Sequence, residues 1–240
     1  MSYIDFDKLR SLPLEDFMAI KPYPYFNTGG LLTESGFEDL LDNMPGLEMF
    51  QERFGDERRA GQTPHDRYSL EYTPEMATTV PRPWKEFIDE LCSDAYRGEI
   101  ERLLGAKKAE FRFHWHYTPT GCDVSPHCDA RREHGSHLFY FNSKEDWDPA
   151  WGGSTLVLDD GGRLDYNSAP PLEDFDAIHE CDSIGNYSSL MLRTDHAWHA
   201  VRPIDCPEDR LRRVFIVVVN PNNLFWKVRD RIIGKTIQRF

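Results

Sequence analysis

His127, Cys128 and Asp129 follow one another in the chain. On an extended backbone, residues two apart point to the same side, so the His127 imidazole and the Asp129 carboxylate can converge on one point. That pair suits a divalent metal ion. A second imidazole from a distant strand would complete three donors on one face of an octahedron, leaving three positions open. Three open positions are enough for a bidentate 2-oxoacid and O₂ on a non-haem iron. His199, which opens the run His199-Ala200-Val201-Arg202-Pro203, is the candidate third ligand. His196 competes with it, because two residues three apart on one strand cannot both face inward. The set contains no thiolate, which argues against zinc.

A second signal lies in Arg212-Arg213-Val214-Phe215-Ile216-Val217-Val218-Val219. A guanidinium at the start of so apolar a strand needs a partner if it is buried. A dicarboxylate supplies one through a bidentate fork. Alternatively, both arginines reach water at the strand end. Arg212 shares a side with Val214 and Ile216, and Arg213 shares the opposite side with Phe215 and Val217. Arg131, Arg132, His134 and His137 follow the metal-binding candidates, and Arg193 and Asp195 precede His199. These either line a cavity entrance or are ordinary surface charges. The Gln62–Arg67 loop and the acidic stretch Glu173–Asp182 are candidate lid segments.

Positioning such residues requires strands. From residue 109 on, short runs rich in β-branched and aromatic residues alternate with turn signals. The runs are Glu110–Tyr117, Ser136–Phe141, Ser154–Leu158, Ser188–Arg193, Trp198–Val201 and Arg213–Val219, with turns at Pro119–Gly121, Gly152–Gly153, Asp159–Gly162 and Pro170–Pro171. This predicts an antiparallel sandwich or barrel over 109–221 with helices packed against it. Residues 1–108 read as a mixed, largely helical extension. It holds a short amphipathic helix over Glu34–Asn43, a strand over Arg67–Tyr72, and a helix starting near Pro83 that breaks near Gly98 and ends by Gly105. Residues 222–240 predict a C-terminal helix with Leu224, Phe225, Val228 and Ile232 on one face and Lys227, Arg229 and Arg231 on the other.

The chain has 240 residues and a formal charge of −13, and 13% of it is aromatic. That length fits one domain with a sizeable core. The acidic balance makes nucleic acid an unexpected partner, since phosphate binding relies on Lys and Arg. Five cysteines without a CxxC pair predict neither a zinc ribbon nor a disulfide framework, and point to a reducing, cytoplasmic setting. No signal peptide and no membrane insertion are expected.

Several motifs then fall in a recognisable order. Tyr117 precedes His127-Cys128-Asp129 by ten residues. Phe139-Tyr140-Phe141-Asn142 and Trp151-Gly152-Gly153-Ser154-Thr155-Leu156 follow, and His199-Ala200-Val201-Arg202-Pro203 with Arg212 closes the set. Over about residues 110–220 this resembles the 2-oxoglutarate/Fe(II)-dependent dioxygenases, most nearly their prolyl-hydroxylase-like branch. The resemblance implies a mainly β fold with flanking helices around a double-stranded β-helix (jelly-roll or cupin-like) core. It implies that His127, Asp129 and His199 hold Fe(II) and carry catalysis. Arg212 would bind the distal carboxylate of 2-oxoglutarate, Tyr140 would assist there, and Tyr117 would hydrogen-bond in the same pocket; either tyrosine could equally be core. It further implies hydroxylation of an unactivated C–H bond with release of succinate and CO₂, using O₂ and supported by ascorbate. Asp129 fits hydroxylation, since related halogenases carry a small residue there to admit chloride. The substrate would be a prolyl or other amino acid residue, or a small metabolite. Two other readings stand beside this one: a cupin-like barrel that binds metal or ligand without oxygenase activity, and a zinc hydrolase. Oligomeric state is not legible in the sequence.

Overall fold

This computed structural model describes residues 2–58 and 61–222. The first half carries α1 (Phe6–Ser11), α2 (Leu14–Ala19), β1 (Tyr25–Gly29), α3 (Glu34–Asp42), β2 (Gln51–Arg53), β3 (Arg67–Glu71), α4 (Arg82–Leu91) and α5 (Asp94–Leu104). The second half carries β4 (Ala109–Thr118), β5 (Val124–His127), β6 (Gly135–Tyr140), β7 (Thr155–Asp159), β8 (Ala177–Glu180), β9 (Tyr187–Leu192), β10 (Trp198–Val201) and β11 (Arg212–Pro221). The strands form two antiparallel sheets. One has the order β1-β9-β6-β11-β4-β3-β2, and the other β5-β10-β7-β8. The fold is mainly β with flanking helices, the double-stranded β-helix that the resemblance implied.

Alternation along β4 separates the two environments. Phe111, Phe113, Trp115 and Tyr117 point into an apolar cluster with α4 and α5. Arg112, His114, His116 and Thr118 point the other way, into a cavity closed by the smaller sheet. The neighbouring β11 divides likewise, with Phe215, Val217 and Val219 in the cluster and Arg212, Val214, Ile216 and Val218 on the cavity side. Trp84 of α4 is fully buried at the centre of the helical layer, with ring centroids 4.9 Å from Phe141, 5.0 Å from Phe215 and 5.2 Å from Trp115. Such aromatic pairs add ~0.5–1.5 kcal/mol each beyond area burial. They lock the sheet whose other face carries the polar groups.

Several expectations are corrected. The helix begun near Pro83 breaks at Cys92–Ser93 rather than at Gly98, because the Ser93 hydroxyl caps a new helix by accepting the Tyr96 N–H. Gly98 sits inside α5, and Gly105 ends it in the left-handed conformation. Residues 1–108 form the mixed segment read from the sequence, with the strand expected over Arg67–Tyr72 present as β3, and they add β1 and β2 to the larger sheet as well. The acidic stretch Glu173–Asp182 is no lid. Its Ala177–Glu180 part pairs with β7 as the edge strand β8 of the smaller sheet. The expected C-terminal helix lies outside the described residues. All five cysteines are free thiols. No helix among the described residues is long and apolar enough to cross a membrane.

Candidate metal centre

β5 ends at His127, and β10 runs beside it with His199 directly opposite. Cross-strand partners on one face lie close together, so this register alone brings the two imidazoles together. Their ring centroids are 4.3 Å apart. Asp129 follows two residues after His127, and donor atoms of the three residues all lie within 4.8 Å of one another. His199 Nε2 is 3.6 Å from Asp129 Oδ1. One ion bonding at ~2.0–2.2 Å reaches two donors at that separation.

The rings are oriented for this. His127 Nδ1 lies 3.0 Å from the Ser125 carbonyl, and His199 Nδ1 lies 3.1 Å from the Ala197 carbonyl. A carbonyl only accepts, so Nδ1 donates in both and each Nε2 presents a lone pair. Burial, then the neighbouring His199, holds the His127 pKa well below the usual histidine range, so its ring is neutral as metal binding requires. Asp129 is held too. Its Oδ2 accepts from Ser136 Oγ at 3.0 Å, and its backbone carbonyl accepts from Tyr166 Oη and Arg193 Nε at 3.1 Å each. His196 is not part of this group. Its Nδ1 lies 2.8 Å from Asp160 Oδ2, so of the two competing histidines only His199 meets His127 and Asp129.

The two competing arginines also part. Arg213 turns outward to Asp146. Arg212 is buried and faces the cavity, where Nε donates to the Gly153 carbonyl and Nη2 donates to Thr155 Oγ1 at 3.2 Å. Gly153 makes that approach possible. Its φ is +80°, and a Cβ there would crowd Arg212 Cδ at 3.1 Å and the Trp147 ring at 3.2 Å. Burial pushes the Arg212 pKa down to about 10, so it stays a cation at neutral pH. Its polar partners among the described residues are neutral. Tyr140 stands beside it, donating to the same Thr155 hydroxyl at 2.9 Å, with its ring centroid 5.9 Å from the guanidinium carbon.

Tyr117 is elsewhere. It lies on the aromatic side of β4, stacked on Phe50 at 4.2 Å, and its hydroxyl donates to the Pro45 carbonyl. His137 is not at an entrance either. It is fully buried in the core against Tyr96 and Phe139. Of the remaining entrance candidates, Arg131 and Asp195 form an exposed ion pair, while Arg193 is mostly buried and braces Asp129. The Gln62–Arg67 loop contributes His65, Asp66 and Arg67 to the cavity wall.

The cavity has a volume of about 910 Å³. Five of its side chains, His65, Arg112, His114, His116 and Glu133, were not singled out individually from the sequence. His65 lies with its ring centroid 4.6 Å from that of His127, and burial pushes its pKa down to about 3. His114 and His116 are likewise held neutral by burial. Arg112 pairs with Glu133 at 3.0 Å. Burial, and then the Asp129 charge, pushes the Glu133 carboxyl up to about 7.

No protein-family model matches the sequence, and no curated protein does. Solved structures do match. A prolyl-4-hydroxylase from Pseudomonas putida aligns with a TM-score of 0.61 at 16% identity, covering 88% of this chain and 97% of that one. A prolyl hydroxylase from Trichoplax adhaerens, solved with a hypoxia inducible factor peptide fragment, aligns at 0.61 with 14% identity over 97% of this chain and 94% of that one. The non-haem α-ketoglutarate-dependent carbocyclase SnoK from nogalamycin biosynthesis aligns at 0.60 with 11% identity, over 95% and 92%. At these identities the likeness is one of fold.

Proposed function

We propose that this protein is a 2-oxoglutarate- and Fe(II)-dependent dioxygenase that hydroxylates an unactivated C–H bond. The supporting observation is that two oriented imidazoles and a carboxylate share one cavity with Arg212, a buried cation without a carboxylate partner among the described residues. The donor set fits iron: two neutral nitrogens and one carboxylate oxygen, no thiolate, and open space on the cavity side. Arg212 fits a dicarboxylate, because a buried guanidinium gains most from a charged, fork-accepting partner.

His127, Asp129 and His199 would hold the metal, and Arg212 would fix the far carboxylate of 2-oxoglutarate. Thr155 bridges Arg212 and Tyr140 and keeps the guanidinium aimed into the cavity. Bound iron and 2-oxoglutarate would supply the oxidising chemistry, consuming O₂ and yielding succinate and CO₂. The substrate would be an amino acid residue, prolyl or other, or a small metabolite.

The direct test is succinate release by purified protein given Fe(II), ascorbate and 2-oxoglutarate. Release that requires O₂ and is blocked by N-oxalylglycine supports the proposal. Metallated protein that fails to bind 2-oxoglutarate would instead be a metal-binding barrel, and O₂-independent turnover would mark a hydrolase.

One consequence concerns Tyr117. Since its hydroxyl lies on the helical side of β4, Tyr117→Phe is expected to leave the apparent KM for 2-oxoglutarate within about twofold of wild type. It strands the buried Pro45 carbonyl and should cost about 1 kcal/mol of stability. Steady-state kinetics and urea unfolding on one preparation check both. A large rise in KM would place Tyr117 in the cosubstrate pocket after all.

A further inference from the structure

The cavity contains a second inward guanidinium that the proposed cosubstrate leaves unused. β3 and β11 flank β4 on opposite sides. On one side Tyr68 stands opposite Tyr117 and Ser69 opposite His116, so Arg67, at the start of β3, stands level with Thr118. On the other side Arg212 is the partner of Thr118. Arg67 and Arg212 therefore occupy one row across three strands, ~10 Å apart at the backbone from two strand spacings. Both line the cavity.

Arg67 is mostly buried and poorly compensated. Its Nη1 donates to the His65 carbonyl, and its Nε has no partner. Among the described residues no acid forms an ion pair with it. The charges of Asp56 and Asp66 favour its cation, and those of Arg58 and Arg53 oppose it. Arg53 and Arg67 are cross-strand partners, and this wall of the cavity carries Arg53, Arg58 and Arg67 together with Glu57, Asp66 and Glu71. His65, two residues before Arg67, packs its ring on His127, and its Nε2 lies 3.1 Å from Ser125 Oγ. His65 therefore joins the Arg67 wall to the metal centre. Neutral imidazoles at His65 and His116 add hydrogen-bonding capacity without charge.

A buried guanidinium beside other guanidiniums, with a free Nε, is a receptor for an oxyanion. We propose that the substrate of this cavity carries a carboxylate or phosphate group, and that Arg67 receives it on the side of β4 opposite the 2-oxoglutarate anchor. The assignment rests on the oxygenase reading and narrows it. It favours acidic small molecules, or peptides presenting a carboxylate near the oxidised carbon, over neutral ones. Arg67 becomes a specificity determinant that orients the substrate from its anionic end.

Wild-type protein is loaded with Fe(II) and 2-oxoglutarate under anaerobic conditions, and its visible charge-transfer band is recorded first. A missing band counts against the oxygenase reading itself. With the band present, inorganic phosphate and acetate are titrated by calorimetry into wild type and R67Q. Saturable binding to wild type, weakened at least about tenfold in R67Q, supports the assignment. The preferred anion distinguishes phosphorylated from carboxylic substrates. No binding by wild type, or equal binding by R67Q, overturns it. Phenylglyoxal labelling of wild type, mapped by mass spectrometry, gives the same decision without a variant. The bound anion should shield Arg67, and labelling of Arg67 unchanged by saturating anion sinks the proposal.

Discussion

Asp129→Ala is expected to reduce succinate release by at least ~10³-fold, about 4 kcal/mol of barrier, with Fe(II) affinity falling in parallel. The substitution removes the only charged donor of the three, leaving two neutral imidazoles from adjacent strands. The fold should survive, because among the described residues the side chain accepts one hydrogen bond, from the Ser136 hydroxyl, and otherwise meets only the His199 ring. The contacts that shape this turn go to the Asp129 backbone carbonyl, from Tyr166 and Arg193, and alanine keeps that carbonyl. Iron titration followed by activity at saturating iron separates weaker binding from lost chemistry. His196→Ala is the matched control: it removes an imidazole held by Asp160 outside the donor group and should bind iron as wild type does. If Asp129→Ala kept more than about a tenth of wild-type turnover at saturating iron, the carboxylate would not be a ligand.

How far the sequence alone reached depended on whether a signal was local. His127-Cys128-Asp129 is legible because two-residue spacing on an extended chain needs no tertiary knowledge. The partnership with His199 is not local, and it becomes physical only through the register of β10 on β5. The choice between His199 and His196 turned on Asp160, a residue remote in sequence that draws His196 away.

The misplacement of Tyr117 was avoidable. In Ala109–Thr118 the aromatics Phe111, Phe113 and Trp115 share its parity, while Arg112, His114 and His116 share the other. Period-two alternation, applied without regard to family position, puts Tyr117 in the core and nominates the two histidines for the cavity. His137 misled for a related reason. Every residue of β6 is buried, so a polar residue there says little about direction, and Tyr96 from α5 supplies its hydrogen bond. The strands β1 and β2 and the edge strand β8 carry weak apolar patterns. They exist because neighbouring strands offer unpaired backbone groups, which single-segment reading does not see.

Arg212 and Arg213 allow the sharpest separation of a site residue from its neighbour. Arg212→Met is expected to raise the KM for 2-oxoglutarate by about 30- to 1000-fold, the ~2–4 kcal/mol typical of truncating one partner of a buried, hydrogen-bonded charge pair. The kcat at saturating cosubstrate should fall much less, because in the proposed site Arg212 would meet the end of the molecule remote from the metal donors. Stability should hold or rise. Burial already pushes the free guanidinium's pKa down to about 10, and methionine fills similar volume without that cost. Arg213→Met should do the reverse. It breaks an ion pair with Asp146 that is largely shielded from solvent, so it should lower the unfolding free energy, while the KM for 2-oxoglutarate stays near wild type. Measuring both variants by urea unfolding and by 2-oxoglutarate saturation gives a crossed pattern, stability lost in one and cosubstrate affinity in the other. A merely structural Arg212 would yield a destabilised protein with unchanged KM, and the proposal that it anchors 2-oxoglutarate would fail with that result.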